Sequence, residues 1–133
     1  MRGTSLKSVL AGCLLAIAAV GSSHAASIGY DEILGNWCGM KSNPNWTNFH
    51  VSRGTLAITH LPNGDTIDLS IDHFEFSDTR VIIYYLSAGH GNQANKPGNV
   101  VSRVEFIRFS ADRTSMFQAT SDISGEYQFR RCR

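Results

Sequence analysis

The side chains in this 133-residue chain that could do chemistry are few, and most are spaced against it. His50, His60, His73 and His90 form no HxH or HxxxH pair, the spacings that aim two imidazoles at one metal ion, so no metal site is read from them. Asp72, Glu75 and Asp78 are near enough in sequence to share acid–base work. Carboxylates in such places more commonly shape turns or face solvent. No Gly-x-Ser-x-Gly element, Gly-rich phosphate loop or CxxC pair is present. No catalytic residue and no cofactor is therefore expected, and an enzyme ranks third among the function classes.

The first 25 residues change every other count. Arg2 and Lys7 form a positive start, Val9 to Val20 is an apolar run, and Ser23 and Ala25 are small residues placed for cleavage after Ala25. Residues 1–25 read as a bacterial secretory signal. Residues 26–133 are then a single domain in the periplasm or outside the cell. The apolar run is shorter than the ~20 residues a membrane span needs, and no later segment reaches that length. Leu10-Ala11-Gly12-Cys13 resembles a lipoprotein cleavage box, but Leu14 to Val20 follows the cysteine where a polar tether belongs, so no lipid anchor on Cys13 is expected.

Of three cysteines, Cys13 leaves with the signal and Cys38 and Cys132 remain. An even count in an oxidising compartment implies a disulfide. Loss of Arg2 and Lys7 also leaves ten basic side chains against eleven acidic ones. No basic stripe precedes Arg130, Arg131 and Arg133, which read as a solvated strand end, so nucleic acid is not an expected partner. Asn45-Trp46-Thr47 matches a glycosylation triplet, which carries no meaning behind a bacterial signal.

The elements that must position these residues are strands. Ile67 to Asp72 alternates apolar and polar with period two. His73 to Phe76 alternates with the opposite parity, which implies a bulge or tight turn near Asp72-His73. Pro62-Asn63-Gly64-Asp65 is a hairpin signal. The expected strands are 33–39, 47–52, 54–61, 65–72, 73–77, 80–87, 99–109 with 114–120, and 125–132. No helical period appears after the signal. About eight short antiparallel strands with tight turns define an all-β, up-and-down barrel. A bond between Cys38 and Cys132 sets its first strand beside its last.

Leu34-Gly35-Asn36-Trp37 resembles the Gly-x-Trp signature on the first strand of lipocalins, avidins and related calycin barrels. The resemblance implies that Trp37 plugs one end of a calycin-like barrel and that Arg130 or Arg131 packs over it. The Gly-x-Trp-Cys element, Phe74 to Asp78 and the Phe129 to Cys132 ending also resemble a group of small exported proteobacterial proteins. The chain is shorter than a typical lipocalin and has no segment for the helix that follows a lipocalin barrel.

The aromatic residues can line a pocket or fill a core, and small barrels are usually filled. Trp46 sits in a polar stretch and is expected at a barrel mouth, partly exposed. The 87–99 loop is long for a hairpin connection and presents His90 and Lys96. Two functions from different classes follow. One is a non-enzymatic module that binds a small apolar or amphipathic molecule, with Trp46, Tyr84, Phe106, His90 and Lys96 as contacts. The other is a periplasmic protein-interaction module, such as a lysozyme or protease inhibitor, acting through the 87–99 loop. A hollow interior favours the first; a filled core with a projecting loop favours the second.

Overall fold

A computed structural model describes residues 27–43, 46–119 and 126–133. The signal reading of 1–25, with Cys13, lies outside the described residues, as does Asn45 of the glycosylation triplet. One helical turn, α1 (Tyr30–Ile33), precedes eight strands: β1 (Gly35–Gly39), β2 (Thr47–Val51), β3 (Thr55–His60), β4 (Thr66–Phe76), β5 (Val81–Ser87), β6 (Val100–Phe109), β7 (Ser115–Ala119) and β8 (Glu126–Arg131). Each strand pairs antiparallel with the next, and β1 pairs with β8, closing the barrel. The all-β, up-and-down reading of the sequence holds.

Two boundaries differ from expectation. Segments 65–72 and 73–77 are one strand, β4. Its pairing passes from Ile71↔Tyr85 directly to His73↔Tyr84, so Asp72 is the extra residue of a β-bulge. The bulge absorbs the parity break without ending the strand. Segments 99–109 and 114–120 form the expected strand pair, β6 and β7, and Asp112 accepts hydrogen bonds from Ser110 Oγ and from Thr114 N and Oγ1, tightening the turn between them. The segment expected to begin a strand at residue 33 starts as α1. One turn is too short to show a helical period.

Alternation fills one end of the barrel. Trp37, Val51, Leu56, Leu69, Val81, Ile83, Phe106, Met116 and Phe129 are buried there. α1 covers that end, burying Ile28 and Ile33 and setting Tyr30 edge-on to Phe74 and Phe76. Trp37 is 0% exposed, and its indole Nε1 donates to the Ile33 carbonyl at 2.8 Å. The Arg131 guanidinium lies 4.1 Å from the Trp37 ring centroid, a cation–π distance. It also donates to the carbonyls of Leu34, Glu32 and Asp31, which satisfies the charge that burial desolvates. Burial pulls the Arg131 pKa down from its ordinary value, and the Glu32 carboxylate opposes this.

Arg130 does not share this role. It pairs with Cys38 in register and is exposed, because only alternate residues of β8 face inward. Gly35 has φ +118, and a Cβ there would meet Arg131 Nη1, so glycine is what admits the guanidinium. Cys38 and Cys132 are bonded, with Cα atoms 5.2 Å apart, and the Cys132 amide donates to the Asn36 carbonyl.

Candidate binding cavity

The opposite end is not filled. A cavity of about 270 Å³ opens there. Phe49, Leu56, Ile58, Tyr85 and Val104 form its apolar lining, and Thr47, His60, Asn95, Arg103, Gln118 and Tyr127 supply the polar groups. Seven of these residues are set by period-two alternation from the packed end. Phe49 of β2 precedes Val51; Ile58 and His60 of β3 follow Leu56; Tyr85 of β5 follows Ile83; Val104 of β6 precedes Phe106; Gln118 of β7 follows Met116; Tyr127 of β8 precedes Phe129. The Phe49 ring meets Phe106 at 5.8 Å and Phe129 at 4.8 Å, which makes the floor.

The 87–99 loop bends across this opening. The Ala88 amide donates to the Lys96 carbonyl at 2.7 Å, and a single 3-10 turn covers Gly91–Gln93. Gly98 lets the two legs of the loop cross, since a Cβ there would collide with the Ser87 and Ala88 backbone. Asn95 thereby joins the cavity lining. A smaller depression of about 180 Å³ lies between the loop residues Asn92, Asn95 and Lys96 and the β3–β4 turn, and His60 borders both spaces.

Among the described residues β6 pairs with β5 from Val100 to Phe106 and with β7 at Phe106, Arg108 and Phe109. Alternation puts Arg103 on the outer side with its partner Tyr84, and its side chain still borders the cavity.

The residues expected as ligand contacts fall elsewhere. Tyr84 is on the outer wall, stacked 4.2 Å from the His73 ring with its hydroxyl donating to Glu75. The adjacent Tyr85 takes the inward place, since neighbours on a strand face opposite sides. Phe106 is 0% exposed, packed in the floor against Phe49 and outside the lining. Trp46 is half-buried on the rim; its indole donates to the Gly39 carbonyl at 3.2 Å, with Lys41 Nζ 5.7 Å from the ring. It does not line the cavity. His90 is exposed on the loop, and Lys96 borders the smaller depression. Tyr127 was within reach of the sequence: once Arg131 is set over Trp37, alternation carries Phe129 and Tyr127 inward.

Among the described residues, no group of three His, Cys, Asp or Glu side chains could hold a metal ion, and no helix is long and apolar enough to cross a membrane. Asp72 and His73 do pair, at 2.6 Å, on the exposed outer wall. Burial raises the pKa of the Tyr85 hydroxyl above the ordinary phenol value. Alkaline absorbance titration should therefore show a late-ionising phenol that is missing from Tyr85→Phe. A variant that loses only an ordinary phenol would place the hydroxyl in open water.

The fold and cavity define a closed eight-stranded antiparallel barrel, packed at one end and hollow at the other. Comparison with protein-family models, curated proteins and solved structures gives no match.

Proposed function

We propose that this chain is an exported, calycin-like barrel that binds a small apolar or amphipathic molecule in its open end. The cavity carries the reading. Its apolar lining and convergent polar groups have the make-up of a ligand site, and its volume falls just below the usual ~300–1,000 Å³, which suits a small ligand. The Trp37–Arg131 stack supports the calycin likeness, because it realises the contact expected from Gly-x-Trp. The disulfide supports an oxidising compartment, the bacterial periplasm or the exterior. The inhibitor reading needs a loop that projects, whereas Asn95 of the 87–99 loop lies against the cavity.

The test uses N-phenyl-1-naphthylamine, an uncharged dye that brightens in apolar surroundings. The protein should bind one dye per chain. Ile58→Trp, which fills the cavity from its wall, should weaken binding by more than about tenfold, or about 1.4 kcal/mol. The added ring occupies space already empty, so the variant should still melt cooperatively. No binding to the wild type, or unchanged affinity in a folded Ile58→Trp, would overturn the proposal.

A further inference from the structure

We infer that the ligand of this cavity is an anion with an apolar body, and that Arg103 is its main charged contact. The inference rests on the reading of the cavity as a binding site and adds the charge class of what it holds. Among the described residues no carboxylate lines the cavity, while Arg103 and His60 do. Every other polar group in the lining, Thr47, Tyr85, Asn95, Gln118 and Tyr127, can donate a hydrogen bond. These groups can donate or accept, so the fixed charge of Arg103 is what disfavours a cation and suits an acceptor-rich, negatively charged head.

The pairing of charges along β6 singles out Arg103. Glu105 is held by Arg80 at 3.1 Å, and Arg108 grips both carboxylate oxygens of Glu126. Among the described residues Arg103 has no carboxylate partner, and it borders the cavity. An anionic head would lie against it, with the body against Phe49, Leu56 and Ile58. A planar guanidinium offers paired donors matched to a carboxylate or sulfonate. Lys96 adds a second positive group above His60. Among the described residues Asp65 is the single acid bordering that smaller space. Carboxylate and sulfonate heads share this chemistry, so both are tested.

Two matched pairs isolate the charge. The first sets N-phenyl-1-naphthylamine against 8-anilinonaphthalene-1-sulfonate, the same ring system with a sulfonate. The second sets 1-octanol against octanoate, each displacing bound dye. In both pairs the anion should bind about tenfold more tightly than the neutral member, the size of one charge-assisted hydrogen bond. The preference should shrink as salt rises, because Arg103 is exposed enough to be screened. Arg103→Gln should remove most of the preference, read as the ratio of anion to neutral affinity within each pair. Equal or weaker binding of the anions, or a preference that survives Arg103→Gln, overturns the inference and leaves the binding site standing. Failure of all four compounds to bind removes the site and the inference together.

Discussion

Trp37→Ala should lower the folding free energy by about 3–5 kcal/mol, the cost of truncating a large buried aromatic side chain. Trp37 is fully buried, and little can collapse into its place. The β1 strand that carries it is fixed on both sides, by β2 and by β8. The loss has three parts. The ring leaves a cavity, the hydrogen bond to Ile33 disappears, and the Arg131 guanidinium loses the face it stacks on. For a domain near 100 residues the melting temperature should fall by on the order of 15 °C or more. Urea unfolding followed by circular dichroism is the direct measurement. A shift under about 1 kcal/mol would mean the closed end is not held by this residue.

Replacing Cys38 and Cys132 together by serine should cost a similar amount. The bond joins residues 94 apart in sequence, and the chain-entropy account values such a loop at about 4–5 kcal/mol. That is comparable to the whole stability of many small domains, roughly 5–15 kcal/mol. The effect should fall on the unfolded state, so the urea m-value should rise as the unlinked chain expands. Superimposable unfolding curves with and without reductant would show that the β1–β8 hydrogen bonds alone keep the ends together.

Much of the frame was legible because each cue was local. Alternation over residues 67–72, the hairpin signal at 62–65 and the parity break at Asp72-His73 each lie within a few positions. The pair Cys38 and Cys132 followed from compartment and count. The stack on Trp37 came from a resemblance that left Arg130 and Arg131 open, and strand register chose Arg131. The cavity was not legible, because its lining is drawn from six strands and a loop. Choosing Tyr84 over Tyr85 was a one-residue error, and with period two that reverses the face. Gln118 depends on the register shift between β6 and β7 after Phe106, which no run of residues announces, and Arg103 borders the cavity although alternation sets it on the outer wall. The loop reading named His90 and Lys96, whereas Asn95 is the loop residue that lines the cavity.

The seam between β1 and β8 bears on how the chain reaches this shape. The other seven seams join strands consecutive in sequence, so each can zip as a hairpin at low contact order. The eighth spans nearly the whole domain and carries the loop-closure entropy of the fold. While it is open, β1 and β8 are free edges, able to add strands from other molecules. Oxidation before folding would tether those edges to each other and raise their effective concentration above that of any neighbouring chain. The bond then acts as a guard on assembly as well as a brace on the finished barrel, and the reduced chain is the one exposed to edge-to-edge aggregation.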